Sequence, residues 1–140
     1  MLSAEEISDR LELQDLLIRY SEAIDRREFD ELDEIFTPDA YIDYRDTGGV
    51  DGQYPQVKPW LAETLPAYFE RNAHMLGLPA IKLAGNTATA RTFCFNPMIL
   101  KGDKPKVMQV GVWYDDECVR TAGGWRIARR VEITCYDKIL

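Results

Sequence analysis

The chain holds a single histidine, His74, and the chemistry open to that residue is narrow. One imidazole cannot build the two- or three-histidine sites that bind zinc or iron. It can take a proton from carbon or a hydroxyl, because histidine ordinarily changes charge between about pH 5 and 8. A carboxylate that fixes its tautomer and stabilises the imidazolium makes it a better base. Asp25, at the end of an amphipathic segment, could supply that carboxylate. The alternative is that Asp25 caps a helix starting near Glu28 and that His74 is a satisfied strand residue. Tyr20 and Tyr44 are candidate phenol donors to a substrate oxygen in an otherwise apolar pocket, with core packing as the alternative. Alternation along Tyr41-Ile42-Asp43-Tyr44 puts Tyr44 and Tyr41 on opposite faces, so only one can line that pocket from a regular strand. Asn96 ends the apolar run Thr92-Phe93-Cys94-Phe95-Asn96, where its amide needs a partner or a ligand unless it accompanies Pro97 in a bulge.

Other chemistries lack their signatures. The chain has no G-x-G-x-x-G, no G-x-x-x-x-G-K-[ST] and no G-x-S-x-G, the loops of dinucleotide, phosphate and serine-hydrolase sites. Cys94, Cys118 and Cys135 stand singly, without disulfide-framework or zinc-ligand spacing. The carboxylate clusters Glu5-Glu6, Glu28 to Glu34 and Asp115-Asp116-Glu117 have no metal-loop spacing and read as solvated faces. No cofactor or metal is therefore expected. A net charge of −7 repels phosphate backbones and anionic lipid, which argues against nucleic acid and membrane surfaces as partners. No run approaches the roughly 20 apolar residues of a membrane span, and the acidic start MLSAEEISDR is unlike a secretory signal. A cytoplasmic location is expected.

These residues must be positioned by a chain of 140 residues, the length of one domain, 1–140, with a real core. Ser3 and Glu6 have capping-box spacing, and Ile7, Leu11, Leu17, Tyr20 and Ile24 recur every three or four residues, which predicts a helix from Ser3 to Asp25. A short helix follows from Glu28 to Phe36, stopped by Thr37-Pro38. Ala40 to Tyr44 reads as a strand, Asp46 to Gly52 as a loop, and Val57 to Arg71 as a third helix, kinked or split at Pro66. From His74 onward the texture becomes β-branched and is punctuated by Gly85-Asn86, Gly102-Asp103 and Gly123-Gly124. The expected strands are His74 to Leu83, Thr87 to Leu100, Lys106 to Arg120 and Trp125 to Tyr136. Helices followed by hairpin-linked strands make an α+β fold, an antiparallel sheet with helices on one face. Strands this long must curl, and a curled sheet closed by helices encloses a pocket. The last two strands carry apolar residues at both parities, including Val110, Val112, Trp113, Ile127, Val131, Ile133 and Tyr136. One face would thus stay apolar and outward, which predicts a homo-oligomer, a dimer or a trimer.

Four segments in this order resemble the SnoaL-like group of the nuclear-transport-factor-2-like superfamily: Leu11 to Leu17 with Tyr20 and Asp25; Phe36 to Tyr44; His74-Met75-Leu76-Gly77; and Tyr114-Asp115-Asp116 through Trp125-Arg126-Ile127. The resemblance implies a cone-shaped curled antiparallel sheet with three N-terminal helices packed on its concave face. Asp25, Ile42 to Arg45 and His74 most resemble scytalone dehydratase and its relatives, which eliminate water or HCl from a small cyclic substrate with an Asp-His pair and no cofactor. On that likeness Asp25 and His74 are the catalytic pair, with Tyr20, Tyr44, Asn96 and Tyr114 as substrate-binding residues; Tyr114 aligns near a pocket asparagine of that enzyme. The second histidine of that enzyme falls near Asn96 to Met98, where this chain has none. The function implied is a cofactor-free lyase, or an isomerase or cyclase, on a small, largely apolar cyclic molecule. A non-catalytic pocket for a hydrophobic ligand, or a dimerisation module, is the alternative.

Overall fold

In the computed structural model, which describes residues 1–140, helix α1 (Ala4–Asp25) begins at a closed capping box. The Ser3 hydroxyl accepts from the Glu6 amide at 3.1 Å and the Glu6 carboxylate accepts from the Ser3 amide at 3.2 Å. Two amides that the first turn cannot bond are thereby satisfied. Leu13, Leu16, Leu17, Tyr20, Ala23 and Ile24 form its buried face. Arg27 then turns the chain with a left-handed backbone, φ 61°. The expected second helix is only a 3₁₀ turn, Phe29–Glu34, because Phe36 already belongs to strand β1 (Phe36–Asp43). Thr37-Pro38 thus lies within a strand instead of ending a helix. Pro38 has no N–H to give, and the pairing of β1 slips between Phe36 and Tyr41 around it.

A 3₁₀ turn at Arg45–Thr47 and the short strand β2 (Asp51–Gln53) lead into helix α2 (Tyr54–Tyr68). α2 starts three residues before the expected Val57, its entry held by Gln53 and Gln56 in capping-box geometry. It also stops before the expected Arg71. Phe69 is extended, and Phe69–Asn72 forms strand β3 on the sheet edge. The single strand expected from His74 to Leu83 is two pieces, β4 (Met75–Leu76) and β5 (Ala80–Ala84), both paired to β6 (Thr87–Leu100). Pro79 lies in the break, where a residue without a donor cannot continue a ladder.

β6, β7 (Val107–Thr121) and β8 (Gly124–Ile139) are the long strands, and their bounds differ from the expected ones by at most a few residues. The sheet runs β2-β1-β8-β7-β6-β3, with β4 and β5 also on β6. Every pairing is antiparallel except β1 with β8, a parallel pair that the long intervening chain permits. Shifts at Gly111/Val112 and Glu117/Cys118 mark where the β7–β8 ribbon bends. The helices pack on the concave side of this curled, unclosed sheet, and Leu16, Ile24, Leu32, Phe36, Ile42, Val57, Val112 and Ile127 meet in the core. No helix is long and apolar enough to cross a membrane.

The polar strand residues depart most from expectation. Glu117 is solvated, but Asp116 is 3% exposed and Arg130 is 0% exposed, joined by two hydrogen bonds of 2.7 and 2.9 Å. Alternation through Val112, Tyr114, Asp116 and Cys118 turns Asp116 inward, directly opposite Arg130 on β8. Arg126 and Arg129 stay at the surface, against Glu34 and the Tyr41 ring respectively.

Candidate active site

Asp25 ends α1 and meets the corner between β3 and β4. Its Oδ1 lies 2.6 Å from His74 Nδ1 and accepts from Asn72 Nδ2 at 2.8 Å, while Oδ2 accepts from the His74 amide at 2.9 Å. A carboxylate held this way takes the hydrogen of Nδ1, which leaves Nε2 unprotonated, its lone pair facing the Asn96 amide in a long contact that a substrate can replace. The sequence explains why the corner exists. β3 pairs with Met98 and β4 with Phe95, so the edge of β6 is unpaired by strands at Asn96 and Pro97, and the Pro97 carbonyl instead accepts from the Ala73 amide at 3.1 Å. Asn96 Nδ2 lies 3.5 Å from His74 Nε2. Asn96 keeps its register opposite Val110 on β7, so it is not bulged there, and its side-chain oxygen is buried without a protein partner.

A cluster of phenols adjoins the imidazole. The Tyr20 and Tyr44 hydroxyls are 2.6 Å apart, and the Tyr20 ring is edge-on to His74 and to Tyr114, at centroid distances of 6.1 and 5.9 Å. Burial raises Tyr44 to about 12, and it lifts Tyr20 and Tyr114 well above the ordinary tyrosine value. All three therefore stay protonated and able to donate at neutral pH. Tyr41, on the opposite face of β1, bonds Asp51 away from the site. The Arg130 guanidinium sits against the Tyr20 and Tyr114 rings, 4.2 and 4.0 Å from their centroids, which fixes both rings from behind.

These groups share a cavity of about 520 Å³ between the helices and the concave sheet. Tyr20, Tyr44, His74, Asn96 and Tyr114 all line it, and Ile24, Trp60, Leu61, Leu65 and Phe69 supply apolar wall. Asp25 stands behind His74 as its partner. Leu17, on the same helix, packs into the core and does not line the cavity. Asn72 and the cavity-lining Glu132 went unread in the sequence, and Arg130, which with Arg126 and Arg129 reads there as a solvated or ion-paired face, is fully buried. Asn72 has no signal of its own, since its role depends on the β3–β4 corner. Arg130 and Glu132 were hidden by the bulge at Glu117/Cys118, because counting by twos from buried Ile127 and counting outward from the Thr121/Gly124 turn both put Arg129 and Val131 on the concave face instead. No group of three His, Cys, Asp or Glu side chains is arranged to hold a metal ion.

Among proteins of similar sequence, uncharacterized proteins of Mycobacterium tuberculosis and Mycobacterium bovis are each 56% identical over 140 residues, covering all of this chain and 95% of theirs. Among solved structures, a Kribbella flavida protein superposes with a TM-score of 0.86 at 26% identity, covering 97% of this chain and 95% of its own. A hexachlorocyclohexane dehydrochlorinase of Novosphingobium barchaimii has a TM-score of 0.82 at 16% identity, covering 96% and 91%. A candidate scytalone dehydratase of Novosphingobium aromaticivorans has 0.84 at 17%, covering 94% and 87%. At such identities the last two speak for a shared fold. The SnoaL-like domain matches residues 5–131, nearly the whole of the cone described above, and the chain belongs to that family.

Proposed function

We propose that the protein is a cofactor-free lyase acting on a small, largely apolar cyclic molecule, with His74 as general base and Asp25 as its orienting partner. One observation carries the reading: Asp25 Oδ1 lies 2.6 Å from His74 Nδ1 on the wall of a mainly apolar cavity of about 520 Å³. Nε2 of His74 takes a proton from carbon beside a carbonyl. Asp25 stabilises the imidazolium that forms. The negative charge that grows on the carbonyl oxygen is received by the phenol pair Tyr20 and Tyr44, donors already in place in a low-dielectric site. Tyr114 and Asn96 position the ring, and a donor group of the substrate supplies the partner that the buried Asn96 oxygen lacks in the free protein.

The test is a panel of cyclic β-hydroxy ketones, followed by the absorbance of the conjugated enone that elimination produces. His74→Ala and Asp25→Asn should each lose about 100-fold or more in kcat/KM. Folded variants that match the parent overturn the reading, and a ligand retained in native mass spectrometry with no product formed assigns the cavity to binding instead.

The convex face supports a second proposal, that the protein is a homodimer. Phe93, Trp113 and Ile133 lie side by side across β6, β7 and β8, and Phe95, Gly111 and Tyr136 do so in the next row, with Met75 opposite Phe95. Met75 is 67% and Tyr136 40% exposed. A contiguous apolar patch of this kind is what a second copy covers.

A further inference from the structure

The wall of the cavity away from His74 holds a carboxyl that proton abstraction does not use. Glu132 is on β8, two residues past Arg130 and opposite Tyr114 on β7, so it faces the concave side. The Thr47 hydroxyl bonds its Oε1, the Tyr114 hydroxyl also faces the carboxyl, and the carboxyl lines the cavity where a ligand can reach it. Thr47 also reaches the Tyr44 carbonyl at 3.1 Å, which ties the 3₁₀ turn after β1 to this carboxyl. Glu132 lines the main cavity and a second pocket of about 460 Å³ formed with Asp43, Arg45, Asp46, Val131 and Ile133. It is the partition between the two. His74, at the β3–β4 corner beyond the β6 edge, and Glu132, on β8, line the same cavity from opposite sides.

The charged and titratable groups facing Glu132 are Arg130 on its own strand, Tyr114 on β7, Cys94 on β6, Tyr44 and Asp46 around the turn, and Tyr20 on α1. Burial outweighs Arg130, whose charge is already satisfied by Asp116, and raises Glu132 to about 7. The carboxyl is therefore neutral in a large share of molecules near pH 7.

We infer that Glu132 is the general acid of this site, and that the group expelled is a hydroxyl leaving as water and not a halide. The inference rests on the lyase reading above. In the step, His74 Nε2 takes the C–H proton and the C–H electron pair becomes the new C=C bond. The C–O bond breaks, its pair stays on oxygen, and that oxygen takes the proton from the Glu132 carboxyl to leave as water. A halide departs with its bonding pair and needs no proton, so a built-in acid has a use only for a poor leaving group. The step ends with an imidazolium and a carboxylate. The imidazolium returns its proton to water, and Glu132 regains one through the second pocket while the main cavity is still occupied.

Two measurements test this. Infrared titration of the whole protein should show one carboxyl protonated at pH 6 and ionising near neutrality, with the band absent in Glu132→Gln and present in His74→Ala. Should Glu132→Gln fail to fold, Thr47→Val, which frees Oε1, must shift the same band. Ionisation of Glu132 together with the surface carboxylates overturns the inference, whatever the kinetics show. Elimination is then followed on β-hydroxycyclohexanone and β-chlorocyclohexanone. Glu132→Gln should slow the hydroxy ketone about 100-fold and leave the chloro ketone within a few-fold. Equal effects on the two overturn the inference. Loss of neither reaction in His74→Ala, or turnover of neither ketone by the parent, counts against the lyase reading alone, and the infrared result then decides for Glu132.

Discussion

At the scale of single residues, the same burial that makes Glu132 a candidate acid costs the fold stability. Its ordinary value of 4.5 is raised to about 7 in the folded chain. Between those values the folded state holds a proton that the unfolded chain has released, so stability falls as pH rises through that window, by about 3 kcal/mol at most. Glu132→Gln carries no such penalty. Denaturant melts from pH 4 to 8 should show the variant gaining on the parent as pH rises, and a constant difference would contradict the buried carboxyl. Asn72 offers a second check. Its amide holds Asp25 Oδ1 beside the imidazole at 2.8 Å, so Asn72→Ala should lower kcat about tenfold with little change in KM. A KM effect alone would make it a binding residue. In the sequence Asp25 and His74 are open to two readings, a paired base or a helix cap and a strand histidine, and the resemblance to scytalone dehydratase, not their spacing, selects the pair. Asn72 could not be picked out, because an asparagine acquires this role only from the strand corner that places it.

At the scale of elements, the buried pair Asp116 and Arg130 joins β7 to β8 and backs the tyrosine cluster. Removing one partner strands a charge inside the cone. Asp116→Asn should cost about 3 to 5 kcal/mol in unfolding free energy, whereas Asp116→Leu with Arg130→Met should cost far less. Similar losses in both variants would show that the rings depend on the guanidinium itself. The long strands and the capped first helix were legible because period and punctuation agree along them. The failures cluster at prolines: Pro38 inside β1, Pro66 shortly before α2 gives way to β3, and Pro79 between β4 and β5. A proline announces a missing donor, and only the fold decides whether that ends a helix, slips a strand or opens a gap. The burial of Asp116 was hidden for another reason. Three consecutive acidic residues look solvated as a group, although strand alternation must turn one of them inward.

At the scale of the whole molecule, the two faces of one sheet divide the work, with the concave face enclosing the cavity and the convex face left apolar. Expectation placed apolar residues at both parities, and the structure sorts them: Val110, Val112 and Ile127 face the core, while Trp113, Ile133 and Tyr136 face out. Gly111 belongs to this outer face. A Cβ there would fall 2.4 Å from the Tyr136 ring, so the glycine lets the ring lie flat across β7. Sedimentation at micromolar concentration should give a dimer for the parent and a monomer for Trp113→Glu, with the cavity and its chemistry intact. A monomeric parent would contradict the dimer.

The proposed chemistry requires Asp25 to hold His74 as the Nδ1–H tautomer, with Nε2 basic and turned to the cavity. Because the chain has one histidine, a nitrogen-15 spectrum of the uniformly labelled protein reports that imidazole without ambiguity. Above neutral pH the hydrogen should reside on Nδ1, Nε2 should show the shift of an unprotonated ring nitrogen, and Asp25→Asn should abolish the preference. A hydrogen found on Nε2 in the parent would leave no base facing the cavity and would contradict the mechanism.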